Sequence, residues 1–589
     1  MPGKADNPTN FWQELKRRKV IRRNMVYAAS GFVILELVSI IAEPFGLPDW
    51  TLKLVFVLLC IGFVISIILS WFYDFTPDGI EKMKSANEFK EAPPEKQSKL
   101  IAWKIVTYIS VVIIVGFIIF NFAIGPKRAE YLTDLEKSFA VLPFENMSVD
   151  EEYSYMGDAI TDEIILELQK IKGFDRILSR TSTMQYKDNR PTIPEIAEKL
   201  GVNFIIDGSI QRHKEDVSIR VQVYRAEHED HIWGDEYDGK WEDIFSIQDE
   251  MALKVANELK TVLSSEEMEQ IGKQPTENLE AYDLYLKGRY FWNRGANYNK
   301  SIECYKRALE IDPDYALAYA GMAATFNSYG FGGQVPRKDV IPQAKKAAMK
   351  ALEIDNTIGE AHAELAHARH FYDWDWAGAE MEFKRALEVN PNYARGHEWF
   401  GWLLTDVGRF DEALQEFKRG LELDPFNPQI WVGIGRQYYF ARDYDKAIEE
   451  YRKVLELFPN SRYARSELAL ALSHKGLHNR AIEEYPKITF YPPWDWYLGY
   501  INGAAGKKEE ALEILNKYLE LSNKKFVSPA GIAFIYIGLG KKDKAFEWLE
   551  KAYEQRGKWL SLIKVEPMYD SLRSDPRFQD LVERMNFPD

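Results

Sequence analysis

At 589 residues the chain exceeds what one hydrophobic core fills, so two or more folded units are expected. Its 75 Lys and Arg against 90 Asp and Glu leave a net charge of -15, which argues against a nucleic-acid binder, since neutralising phosphates needs a basic surplus. Two cysteines, Cys60 and Cys304, exclude a disulfide framework or a four-thiolate zinc site within one chain.

Residues 1–24 form a basic N-terminal segment in which Lys16, Arg17, Arg18, Lys19, Arg22 and Arg23 crowd ahead of the first apolar stretch. Three such stretches follow: Met25 to Ala42, which contains Glu36, then Leu54 to Tyr73 and Ile105 to Ile124, both free of charge. About 20 apolar residues in a helix match the hydrocarbon layer, so transmembrane α-helices are expected. The first two form a hairpin (25–73) around Glu43-Pro-Phe-Gly-Leu-Pro48, which cannot continue a helix. Glu36 reads as a protonated or paired carboxyl facing the neighbouring span. The loop 74–104 carries Lys82, Lys84, Lys90, Lys96, Lys99 and Lys104. The positive-inside rule then keeps the N-terminus and this loop in the cytoplasm, and the third span (105–124) sends the remainder out of it. The expected location is integral to the inner (cytoplasmic) membrane, with periplasmic soluble domains; a first stretch that failed to cross would leave them cytoplasmic.

From 137 to 263 short β-type runs alternate with amphipathic stretches, which predicts an α/β domain. Strands are expected at Ser138 to Phe144, Arg176 to Ser179, Phe204 to Arg212, Val217 to Tyr224 and His231 to Tyr237. Helices are expected at Asp158 to Ile171, Ile193 to Leu200 and Ile244 to Leu263. Asp158, Asp162 and Glu163 are read as complements to the positive end of their helix, and His228 and His231 as solvated loop residues. The strings Ala140-Val-Leu-Pro-Phe-Glu-Asn146, Gly157-Asp-Ala-Ile-Thr-Asp-Glu163, Leu178-Ser-Arg-Thr-Ser182, Asp207-Gly-Ser209, Ile232-Trp-Gly-Asp-Glu-Tyr-Asp238 and Asp243-Ile-Phe-Ser-Ile-Gln-Asp-Glu250 resemble the N-terminal domain of TolB and FlgO-like domains. That resemblance implies a non-catalytic recognition domain of the bacterial cell envelope.

From 279 to 556 the sequence repeats at 34 residues. Pro391, Pro425 and Pro459 keep this spacing, as do Ala379, Ala413, Ala447 and Ala481, with Phe383, Phe417, Tyr451 and Tyr485 four residues beyond each alanine. Small residues let paired helices touch, aromatics fill the gap, and proline ends the second helix. These positions resemble the tetratricopeptide-repeat (TPR) family, which implies an all-α superhelical solenoid of about eight helix pairs. Ser301, Ala344, Ala511 and Ala545 extend the frame, and the period breaks twice, at Tyr329 to Pro336 and near Phe490 to Pro493. Residues 557–589 are expected to cap the last pair. In the TPR family the first helix of each pair lines a concave groove, which places Glu364, Arg395, Glu398, Trp402, Asp406, Gln429, Arg436, Tyr439, Trp496 and Tyr500 there. About half of the aromatics are expected to serve as packing between helices.

His362, His367 and His370 lack a carboxylate at zincin spacing, and no phosphate loop, nucleophile elbow or kinase signature occurs. No catalytic residue, metal or cofactor is assigned. The expected fold is multidomain: transmembrane helices, a TolB-like α/β domain and a TPR solenoid. The expected function is a membrane-anchored scaffold or adaptor of the bacterial envelope that binds protein or peptide partners and no nucleic acid, and is not an enzyme. A transmembrane sensor working with a separate output partner is the alternative.

Overall fold

The computed structural model describes residues 135–588, apart from 296, 334 and 486–495, and scattered positions between 24 and 82. The chain divides into two units, Met1–Gly125 and Pro126–Asp589. In the first, the hydroxyl of Tyr27 donates to the Leu59 carbonyl at 3.1 Å and its ring lies 6.0 Å from Phe63. Strands β1 (Tyr73–Thr76) and β2 (Gly79–Lys82) pair as an antiparallel hairpin. Most of the three expected spans lies outside the described residues, and among those described no helix is long and apolar enough to cross a membrane.

The second unit opens with an α/β domain. In chain order it comprises β3 (Ser138–Val141), β4 (Glu145–Asn146), α1 (Met156–Gln169), β5 (Arg176–Ile177), α2 (Arg180–Thr183), α3 (Ile193–Leu200), β6 (Phe204–His213), β7 (Asp216–Arg225), β8 (Asp230–Lys240) and α4 (Ile244–Glu258). The sheet runs β5-β3-β6-β7-β8, with β4 also paired to β6; β3 is parallel to both neighbours, and β6, β7 and β8 are antiparallel. A parallel strand covered on both faces must be apolar throughout. Accordingly Phe139 and Val141 pack with Ile160, Ile164 and Leu168 of α1 and with Met251 and Val255 of α4. Ala140 and Leu142, pointing the opposite way, meet Ile196, Ala197 and Leu200 of α3. Local chemistry sets the ends of α3: Thr192 and Glu195 make a reciprocal capping box, Pro194 sits in the first turn, and Gly201 takes the left-handed turn at φ 65°.

Sixteen helices among the described residues then form eight successive pairs. The first four are Leu279–Asn293 with Tyr298–Ile311, Ala316–Phe331 with Arg337–Ile354, Gly359–Ala368 with Trp376–Val389, and Ala394–Asp406 with Phe410–Leu423. Next come Pro428–Phe440 with Tyr444–Leu457, Arg462–His474 with His478–Glu484, Trp496–Ala504 with Lys508–Ser522, and Pro529–Gly538 with Lys542–Glu554. The repeat aromatics wedge between glycines of consecutive pairs. A methyl carbon on Gly433 would come 2.6 Å from the Phe417 ring, and one on Gly401 3.0 Å from it. Gly433→Ala should therefore destabilise the array by about 1–2 kcal/mol, because overpacking outweighs the better helix propensity of alanine. A lowered urea midpoint with an unchanged slope is the expected reading.

The α/β domain and the segment that links it to the repeats dock along a row of turns between pairs, each at the end of a pair's second helix. Asp312 accepts from Thr276 at 2.5 Å, Asp355 from Lys273 at 2.6 Å and Asp424 from Ser182 at 2.6 Å, while Asn390 donates to Gln169 at 2.9 Å. The apolar core is continuous across this junction: Tyr282, Tyr285, Tyr305 and Tyr315 of the repeats share one cluster with the sheet.

The segment expected to cap only the last pair reaches much further. Trp376 of the third pair donates to the Met585 carbonyl at 3.0 Å and stacks on Phe587 at 4.3 Å. Tyr439 of the fifth donates to Glu566 at 2.8 Å, and Arg442 just after it donates to Asp570 at 2.7 Å. Tyr553 and Arg556, at the far end of the array, pack on Trp374 of the third pair.

Candidate partner-binding surface

Because the C-terminal segment and the far pairs close over the inner face, most residues expected to line an open groove are interior. Glu364, Glu398, Trp402, Asp406, Arg436, Tyr439, Trp496 and Tyr500 are buried; Arg395 is half-buried and Gln429 exposed. Several charged members meet partners inside the array. Glu364 accepts from Asn327 at 2.7 Å, and burial pushes its carboxyl up to about 7. Arg436 donates to Glu467 at 2.5 Å, an ion pair that holds its guanidinium well charged in spite of burial. His370 Nε2 lies 2.8 Å from Asp406 Oδ2. Such pairs specify how helices meet but offer nothing to a ligand.

Arg395 keeps partial exposure, beside the half-buried Trp292 and Ser328 and the buried Trp399. Its guanidinium stacks over Trp399 at 4.1 Å and Trp292 at 4.8 Å and donates to Ser328 Oγ at 3.0 Å; the Trp292 indole donates to the same hydroxyl at 3.1 Å. Tyr298 and Tyr329, 5.4 Å apart, belong to the first and second pairs, as Trp292 and Ser328 do. Sequence reasoning found Arg395 and missed Trp292, Ser328 and Trp399. The available signal was the run Tyr290-Phe-Trp-Asn293 at the end of the first repeat helix, too aromatic for a solvated turn.

Asp158, Asp162 and Glu163 do more than complement a helix end. Lys187 donates to Asp158 at 2.5 Å; Asp162 lies 2.9 Å from Arg180 and accepts from Asn293 of the first repeat helix at 2.5 Å. Arg289 continues the chain of charges to Glu360 at 3.1 Å. Asp162 stitches the α/β domain to the repeats, a role invisible while the two were read as separate domains, whereas Asp158 pairs within the α/β domain. His231 is exposed, with its ring edge-on to Tyr224, and the His228 side chain lies outside the described residues.

The repeat histidines have periodic structural roles. His362 Nδ1 lies 2.6 Å from Glu382 and its Nε2 3.1 Å from the carbonyl six residues earlier. His397 repeats this with Glu416 at 2.7 Å and the Pro391 carbonyl at 3.1 Å, and Arg465 does so with Glu484 and the Pro459 carbonyl. His367 packs against Phe331, Phe371 and Trp399.

Comparison with known proteins bears on both parts of this unit. Models described as TPR repeat or tetratricopeptide repeat match residues 296–328, 370–428, 428–461 and 530–558. Residues 135–256 match the model of the HilA/YgeH-like transcriptional regulator, second domain, and no TolB model is among these matches. A protein of Rhizobium meliloti (strain 1021) named "Putative adenylate cyclase 3" is 35% identical over 237 residues, 39% of this chain and 40% of that protein. Transcriptional regulator HilA of Salmonella typhimurium is 23% identical over 140 residues, 23% of this chain and 25% of that one. The matches thus span less than half the length of either relative. Among solved structures, a thermophilic TPR protein of Thermus thermophilus is 22% identical with a TM-score of 0.28, covering 33% of this chain and 98% of that one. Human IFIT1 is 18% identical with a TM-score of 0.37, covering 58% and 76%. The repeat array is a tetratricopeptide-repeat solenoid joined to an α/β region with a mixed sheet.

Proposed function

We propose that this chain is a membrane-anchored, non-enzymatic scaffold that holds a protein partner through the patch centred on Arg395. The observation that carries the reading is the half-buried guanidinium sandwiched by Trp292 and Trp399. Arg and Trp are the residue types that dominate binding energy at protein interfaces, and a pre-stacked pair loses little side-chain entropy on docking. Gln429 is a candidate rim contact, and the buried members of the expected groove shape the array that presents the patch. The TolB-like recognition role assigned to the α/β domain belongs to the same proposal. So does the topology: three spans in the inner membrane, a cytoplasmic N-terminus and periplasmic soluble domains. Reporter fusions after Ile124 and at the C-terminus test that orientation.

Partners would be identified by purifying the full chain from solubilised membranes. Trp292→Ala and Arg395→Ala should each weaken capture of the identified partner at least about tenfold while moving the urea midpoint little. Capture at wild-type strength by both variants would remove the patch from consideration.

A second reading, an input module for signalling, is favoured by the relatives: one is named as a cyclase and another is a transcriptional regulator, two different outputs sharing sequence with this chain. Here the output would sit on a separate partner. A cyclase or kinase among the co-purifying proteins would favour it, and envelope-assembly components would favour the scaffold.

A further inference from the structure

Strand β8 is one edge of the mixed sheet. Over its 11 residues it pairs with β7, and among the described residues no other backbone hydrogen-bonds to it. In an antiparallel ladder alternate residues turn their amide and carbonyl groups toward the partner strand, and those between turn them away. The phase here is fixed from both sides. Ile206 and Ile210 of β6 give their carbonyls to Leu142 and Met147, so Ile219, opposite Ile210, faces β8 and meets Tyr237 there. The Glu236 amide donates to the carboxylate of Asp235 at 3.0 Å. Gly234, Glu236 and Asp238 therefore point their backbone groups outward. Exposure alternates in step: Gly234, Glu236, Asp238 and Lys240 are exposed, and Trp233, Asp235, Tyr237 and Gly239 half-buried. Long edges are usually blunted by proline or by bulges. β8 contains no proline, and its register shift lies near its start, opposite Val223 and Tyr224.

The two sides of this edge call for different chemistry. On the side that packs on the core, Trp233 and Tyr237 flank Asp235. Lys254 of α4 reaches over all three, with Nζ 2.8 Å from Asp235 and 5.9 and 5.6 Å from the two rings. Aromatic rings in a strand pack best against β-branched or aromatic neighbours on the adjoining strand. On the other side stand Glu236, which shares Arg220 at 2.9 Å, and Asp238, which makes no ion pair among the described residues. A second copy of β8 laid alongside would set these acids against each other, which is unfavourable.

We propose that the β8 edge takes one further strand, an extended segment of a partner protein in which apolar β-branched residues alternate with Lys or Arg. The apolar set faces Trp233 and Tyr237, the basic set faces Glu236 and Asp238, and the outward backbone groups carry the ladder. The Glu236 amide then exchanges the Asp235 carboxylate for an incoming carbonyl. This rests on the recognition role proposed for the α/β domain and names the surface that serves it.

The test uses the full chain in detergent and a fluorescent peptide of about eight residues that alternates Val with Lys or Arg. Anisotropy should show saturable binding, and hydrogen exchange should show added protection at Gly234, Glu236 and Asp238. Three control peptides should bind at least about tenfold more weakly: one with Glu in place of the basic residues, one with the basic residues gathered in a block, and one N-methylated throughout, which keeps its side chains and donates to no ladder. Glu236→Pro removes an outward amide and spares the bonds to β7, so it should weaken binding to the same degree with the urea midpoint little moved. Arg395→Ala should bind the peptide as wild type does. No binding by wild type, equal binding of any control peptide, undiminished binding by Glu236→Pro, or loss in Arg395→Ala would overturn the edge proposal while leaving partner capture through Arg395 to its own test. A peptide-free dimer abolished by Glu236→Pro would assign the edge to a second copy and overturn it as well. If that variant does not fold, the N-methylated peptide and the exchange pattern of the wild type decide.

Discussion

A chain ending at Gly557 is expected to lose cooperative unfolding of the whole repeat array, not merely of its last pair. The removed segment buries Trp559, Leu560, Leu562, Ile563, Val565, Met568, Tyr569, Leu572, Phe578, Leu581 and Met585. Removing them bares the apolar surface that they cover on the rest of the array. In an ordinary solenoid each repeat contacts only its neighbours, so trimming an end leaves distant repeats intact. Here the segment supplies partners to Trp376 and Tyr439, about 180 and 120 residues upstream, and those sites would be opened directly. Hydrogen exchange read along the array should show lost protection from the third pair onward, together with dye binding to exposed apolar surface. Protection lost only in the last two pairs would show that the segment is a simple end cap.

How much of this was readable beforehand depends on the range of the contact. The helix pairs follow from local repetition: Ala413 and Phe417 in one repeat, Ala447 and Tyr451 in the next, each answering to a face of the same helix. The ends of α3 were equally legible, because Thr192, Pro194, Glu195 and Gly201 act within one turn of their own backbone. Most strands of the sheet were found as short β-type runs, with Val217 to Tyr224 alternating in period two, though not β4 and not their order. Other features rest on pairings from 36 to 242 residues apart. Asp312, Asp355, Asn390 and Asp424 look like ordinary helix-ending turns, and nothing local says that an α/β domain docks on that row. A groove read from one repeat also takes no account of superhelix closure. Tyr439 carries the right frame for an inner face and ends up against Glu566, because the chain returns there. Periodicity reports which face a residue occupies; what covers that face is a tertiary fact.

The protein should be more stable at pH 6.5 than at pH 8.5. Burial pushes the carboxyls of Glu364, Glu398 and Glu566 up to about 7 and that of Glu163 to about 8, whereas in the unfolded chain each titrates near 4.3. Between those values the native state holds protons that the unfolded state releases. The stabilisation is therefore fully present below about pH 4.3 and is lost as pH rises through 7 and 8. Buried histidines act in the opposite direction: burial holds His367 well below its ordinary range and lowers His474 to about 4, so their contribution is lost as pH falls below about 6.5. At pH 6.5 the unfolded histidines are half protonated, so each of the two offsets only a few tenths of a kcal/mol, whereas each carboxyl contributes on the order of 1 kcal/mol to the difference. Glu163 offers the sharpest check, since its Oε1 has no hydrogen-bond partner among the described residues and it is among the most displaced of these acids. Glu163→Gln copies the neutral form, so it should raise the melting temperature at pH 8.5, change it less at pH 5.5, and flatten the slope between. A variant that melts lower than wild type at pH 8.5 would mean that Glu163 is held as a paired carboxylate in the native protein.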